Sequence, residues 1–229
     1  MTASERAGRA VARVRLAVPP PLCLHRSLPS PRHRPRTTAS RYSSSSAPRT
    51  YLYDLDVHGQ LFLSSAKHRN VATAFRDARF LDVFVARLRR NDAVGDGEAQ
   101  QLRKDGYEFV SECMGEMNYL RPDSDGSGLV YTSLEGEELR YAGTLARPFE
   151  PDALRVDPHT GYLFHPSPPL RRKVDRYGPY SLLRSSLVLE HLSSSLELDD
   201  KLGGSFEWAG RRREIRLLEE GDVWRSPRR

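Results

Sequence analysis

Three basic side chains stand where chemistry could be done. Arg121 follows the apolar run Asn118-Tyr119-Leu120. Arg184 interrupts a second such run, and His165 ends Tyr162-Leu163-Phe164 just before Pro166. A half-buried arginine requires a carboxylate partner or a bound anion, because burial strips the guanidinium of its hydration. Glu150, Glu190 and Asp175 are the carboxylates in question. A histidine at a sheet edge can move a proton near neutral pH, although a hydrogen-bonded structural histidine is the commoner use. If Arg121, His165 and Arg184 converge, they form an anion-binding pocket. The sequence leaves that pocket and a set of structural ion pairs both open.

Other motifs carry less. Asp123-Ser124-Asp125-Gly126-Ser127-Gly128 matches the opening of an EF-hand loop, but its twelfth place is Leu134, where a bidentate carboxylate is needed. We expect a solvated turn and no calcium. Ser64-Ser65-Ala66-Lys67 fits the serine–lysine nucleophile pattern without its companion motifs, and helix entry accounts for the serines. His58, His68, His159, His165 and His191 contain no pair at a metal-binding helical step, so no metal and no cofactor is expected. Arg211-Arg212-Arg213 beside Trp208 resembles an RNA-binding cluster, yet in a hairpin alternate arginines point to opposite faces. Cys113 lies in an apolar run and reads as a buried, inert thiol.

Charge distribution bears on partners. The formal net charge is +6 and the pI about 9.5. However, nine arginines fall within residues 1–42 against the single acid Glu5, which leaves 27 basic and 29 acidic residues from Ser43 onward. The basicity belongs to the leader, and nucleic acid is not expected as a partner of the body. Residues 1–49 are rich in arginine, serine and proline. Ala7, Val11, Val14 and Val18 fall on one side of a helical wheel, and Arg6, Arg9 and Arg13 on the other. This is the composition of an organelle-targeting leader. We expect a disordered leader over 1–49 and a mitochondrial address, with the plastid as alternative. Mean hydropathy is −0.61, and no apolar run is long enough to span a membrane.

These side chains need a scaffold. Tyr51 to Leu63 reads as a hairpin turning at His58-Gly59. Val71, Ala74, Phe75, Ala78, Leu81, Val85 and Leu88, with Phe80 and Phe84, predict an amphipathic helix over Val71 to Arg90. Asn91 to Gly106 reads as a polar, mobile excursion with room for one helical turn. Short strands follow from Tyr107 to Ala142, and another at Tyr162 to His165. A second helix is predicted over Tyr180 to Leu198, with strand open at Leu187-Val188-Leu189, and a last hairpin turns at Ala209-Gly210. The expected fold is α+β. It is a single domain over 50–222, a mostly antiparallel sheet covered by one or two amphipathic helices, with a frayed tail over 223–229.

The segment Tyr51 to Arg90 with Gly59-Gln60-Leu61-Phe62-Leu63, then Asn118 to Arg121, Pro148 to Pro151, Leu163 to Pro166, Leu183 to Ser185, and Trp208 to Arg212 resembles uncharacterised protein family 0598 of the UPF series. Animal members carry basic leaders, which implies a mitochondrial setting. The resemblance implies no activity, cofactor or catalytic residue. Two functions follow as expectations. One is a non-enzymatic accessory or interaction protein of the mitochondrial matrix with a protein partner. The other is a small-molecule or nucleotide-handling enzyme built on Arg121, His165 and Arg184.

Overall fold

Hairpin chemistry sets the first sheet. Strand β1 (Thr50–Leu55) pairs antiparallel with β2 (Leu61–Leu63). The Asp56 carboxylate accepts the N–H groups of His58 and Gln60 at 2.9 and 2.7 Å, which closes the turn. Gly59 sits at φ 78°, and a Cβ there would come within 2.7 Å of Thr132 Cγ2. Both the backbone conformation and the approach of the second sheet therefore demand glycine.

The computed structural model describes residues 48–92, 97–113, 115–123, 127–169, 177–199 and 203–223. Nearly all of the expected leader, the 124–126 part of the acidic loop, Asp175, and 224–229 lie outside these. Residues 46–229 form one compact unit.

The first predicted helix is shorter than its apolar spacing suggests. Helix α1 runs Ala78–Arg87, and Leu88–Arg90 is already strand β3. The Asn70 side chain accepts from the N–H groups of Ala72 and Thr73, so the chain there turns instead of winding. Asp77 then caps α1 by accepting from the Phe80 N–H at 2.7 Å. Phe75 reaches the core from the loop, and Val71 remains 58% exposed.

The predicted excursion holds helix α2 (Gly97–Lys104). It is followed by β4 (Phe109–Cys113) and β5 (Glu116–Pro122). The five-stranded sheet has the order β2-β1-β5-β4-β3, with β1 and β5 parallel. Both of its faces are buried. Tyr53, Phe109 and Leu120 join Phe84 of α1 in the main core. Val110 and Tyr119 pack with Ala99 of α2 in a second cluster.

The remaining strands are β6 (Val130–Glu135), β7 (Glu138–Tyr141), β8 (Leu145–Pro148), β9 (Arg155–Val156), β10 (Leu163–Pro166), β11 (Tyr180–Leu183), β12 (Glu197–Asp199), β13 (Gly203–Trp208) and β14 (Arg211–Leu217). They form a nine-stranded sheet, ordered β12-β13-β14-β9-β10-β11-β6-β7-β8. The second predicted helix is thus replaced by β11, a short α3 (Ser185–His191) and β12. Ser181, Leu182 and Leu183 are all buried, as expected of a strand between two neighbours in a covered sheet. Parallel pairing at β1–β5, β6–β11 and β9–β14 makes both sheets mixed, although most pairings are antiparallel as expected. The last hairpin turns where predicted, with Ala209 and Gly210 at φ 51° and 71°. Val223, expected in the frayed tail, is 6% exposed and part of the core.

The larger sheet is strongly curled. In a flat sheet β8 and β10, four places apart, would be separated by about 19 Å. Instead Arg147 Nη1 of β8 lies 2.5 Å from the carbonyl oxygen of Pro166 in β10. Phe149 likewise reaches Trp208 of β13, with ring centroids 4.8 Å apart.

Phe84 ties α1 to the first sheet. It is 1% exposed, packs edge-on against Tyr53 at 5.4 Å and lies 5.7 Å from Phe80. Phe84→Ala is expected to cost about 3–5 kcal/mol in urea unfolding. A variant with the wild-type midpoint would contradict this packing.

Candidate functional site

Asp54, Arg69, Arg121 and Asp123 form a charged cluster that remains partly open to solvent. Asp54 is fully buried on β1, opposite Arg121 on the parallel β5. Its two oxygens serve different arginines. Arg121 Nε donates to Oδ1 at 2.7 Å, and Arg69 Nη2 donates to Oδ2 at 2.5 Å. A buried carboxylate needs such donors, because desolvation of an unpaired charge costs more than folding can tolerate. Both arginines keep an open side, at 37% and 38% side-chain exposure.

Arg121 is held along its whole length. Its stem lies on Gly106, where a Cβ would come within 3.1 Å of Arg121 Cδ. Its guanidinium lies over the Tyr107 ring at 4.8 Å. The bond to Asp54 raises its already high pKa, against the opposing effect of burial. Arg69 comes from the loop between β2 and α1. Its Nη1 also meets both oxygens of Asp123 at 3.4 Å. Burial pushes the Asp123 carboxyl upward; Arg69 opposes this, and Asp54 and Asp56 add to it.

His165 occupies a different environment. It is fully buried within the curl of the larger sheet. Nε2 accepts the Glu150 N–H at 2.9 Å, and Nδ1 lies 3.0 Å from the Pro166 carbonyl oxygen. The proton therefore sits on Nδ1 and the ring is neutral. Its ring stacks on Phe149 and meets Tyr131 edge-on. Burial first, and then the charge of Arg147, lower its pKa from 6.5 to about 3. Arg147 itself donates to the carbonyls of Pro166 and Ser167 at 2.5 Å and pairs with Glu150. Tyr131 donates its hydroxyl to the Pro166 oxygen at 2.7 Å.

Arg184 stands at the entry to α3. Its backbone N–H donates to the Tyr131 oxygen, and its buried Nε has no hydrogen-bond partner. Among the described residues no hydrogen bond, ion pair or ring contact joins any two of Arg121, His165 and Arg184. The structure instead brings Arg121 together with Arg69 and Asp54. Arg69 carried no sequence signal, since it lies in a polar loop. Glu150 does pair with an arginine, but with Arg147.

The other motifs are engaged internally. Cys113 is 1% exposed, its Sγ accepts from Asn118 Nδ2 at 3.2 Å, and burial pushes the thiol upward, with Arg87 opposing. Ser64 Oγ has no hydrogen-bond partner, so Lys67 does not reach it. Arg212 pairs with Glu197 at 2.7 Å and Arg213 with Asp152 at 2.8 Å, which divides the arginine cluster. No group of three or more potential metal ligands occurs among the described residues, and none of their helices is long and apolar enough to cross a membrane.

A family model described as a domain of unknown function, DUF4505, matches residues 41–218, and the chain belongs to that family. No solved structure matches the chain.

The buried histidine yields a pH prediction. An unfolded His165 takes up a proton as pH falls through 6.5, while the folded ring resists until about 3. The unfolded state then binds more protons, so the contribution is whole above 6.5 and lost as pH falls towards 3. In His165→Gln this part of the acid slope, on the order of a few kcal/mol, should vanish from unfolding free energies measured against pH. An unchanged slope would contradict the neutral buried ring.

Proposed function

We propose that this protein is a non-enzymatic accessory or interaction protein of the mitochondrial matrix, belonging to the uncharacterised family 0598 of the UPF series. The observation that carries this reading is the engagement of its catalytic-type side chains in internal bonds. Both ring nitrogens of His165 have backbone partners. Arg147 is bound to three carbonyls and a carboxylate, and Cys113 is sealed in the sheet. A side chain locked in this way holds strands together and has little freedom to reach a substrate. The compartment is supported by the arginine-rich, acid-poor residues 1–42 and their amphipathic start.

A second reading, a small-molecule or nucleotide-handling enzyme built on Arg121, His165 and Arg184, draws support from the half-exposed guanidinium of Arg121 and the unpartnered Nε of Arg184. Proximity labelling of the tagged full-length protein in its own cells tests the first reading. It should return matrix proteins above all others, and a cytosolic set of neighbours would overturn it. Turnover of a metabolite by the purified protein, lost in Arg121→Gln, would install the second reading in its place.

A further inference from the structure

We propose that Arg69 and Arg121, set side by side on the buried carboxylate of Asp54, form a recognition site for the carboxylate group of a small organic acid. In this arrangement the Asp123 side chain is an internal stand-in for that group. The inference goes beyond the accessory reading and does not depend on the compartment.

Geometry carries it. Two guanidiniums bonded to the two oxygens of one carboxylate are close neighbours, and Asp54 offsets only one of their charges. The second counter-charge is Asp123, which meets Arg69 at 3.4 Å through both oxygens. Charge-assisted N–H···O bonds settle near 2.7–2.9 Å, so this contact is slack beside the 2.5 and 2.7 Å bonds to Asp54. Asp123 is also 42% exposed, and burial together with Asp54 and Asp56 works against its charged form. A ligand can displace such a contact at little cost.

The arginines are prepared for it. Gly106 and Tyr107 fix Arg121 from the side and from beneath, its Nη1 lies 3.5 Å from the Asp105 carbonyl oxygen, and Asp54 orients both forks while each side chain stays partly exposed. Little side-chain freedom is then lost when an anion arrives. Charge selects the class of ligand. A monovalent carboxylate brings one negative charge beside Asp54 and Asp56, whereas a phosphate dianion brings two. The Asp56 carboxylate is held by the N–H groups of His58 and Gln60 and stays where it is.

The test is a titration of the full chain followed through the arginine Nε–H resonances in ¹⁵N NMR. Sodium acetate, sodium chloride and sodium phosphate are compared at equal ionic strength. The Arg69 and Arg121 signals should shift saturably with acetate, with a Kd near the millimolar range, and not with chloride. Asp123→Asn should tighten acetate binding about two- to fivefold, the worth of an exposed ion pair. Arg69→Gln should abolish it. A purely structural ion-pair network would make Asp123→Asn less stable without tightening acetate binding. Saturation seen in Asp123→Asn alone would also support the site. It is overturned if acetate does no more than chloride in that variant, or if phosphate binds more tightly than acetate.

Discussion

The Asp54 carboxylate lies near the end of β1 at zero exposure, flanked in the sheet by Phe62 of β2 and Arg121 of β5. An ion in such a place is tolerated only when its lone pairs are filled by good donors. That requirement reaches far along the chain. It places Arg121 opposite Asp54, which fits the parallel register of β1 and β5. It draws in Arg69, and with it the loop between β2 and α1. The same loop delivers Phe75 to the aromatic group of Tyr53, Phe80 and Phe84. One buried charge therefore fastens both a sheet register and the approach to a helix.

The larger sheet meets its polar demands differently. Its curl brings β8 back over β10, and the interior so formed holds Tyr131, Arg147, His165 and Ser181. Nearly all of their bonds end on backbone groups, with the Pro166 carbonyl accepting from both Tyr131 and Arg147. A fully satisfied network of this kind rigidifies the strands around it. Side chains that look chemically able in the sequence are here parts of the frame. The two arginines on Asp54 are the contrast, since each keeps an open side.

Much of this was legible where turn chemistry is local. The hairpins at His58-Gly59 and Ala209-Gly210 follow from residues that adopt positive φ or cap a turn. The helix from Val71 was overextended because apolar spacing cannot see Asn70 and Asp77 competing for backbone N–H groups. Within Tyr180 to Leu198 the helix holds over Ser185–His191, but Tyr180–Leu183 is strand, because a strand buried on both faces and a helix segment share the same apolar run. The demand of Arg121 for a carboxylate was plain, yet Asp54 lies 67 residues away and is reached only through a parallel pairing. Asp54 lies on the face of β1 opposite Tyr53 and Leu55, which enter the main core. α2 helps bury that face, in a stretch where the sequence suggests no more than one helical turn. His165 was expected at a sheet edge, but it lies in β10, a central strand of the larger sheet, and the curl that buries it depends on long-range closure.

The central claim is that Asp54 and Arg121 depend on each other in the folded protein. A double-mutant cycle of Asp54→Asn, Arg121→Gln and the pair, measured by urea unfolding, addresses it most directly. Loss of Asp54 should cost about 3–5 kcal/mol, and the two changes should be coupled by more than about 1 kcal/mol. Additive effects, with no coupling between the two positions, would contradict it.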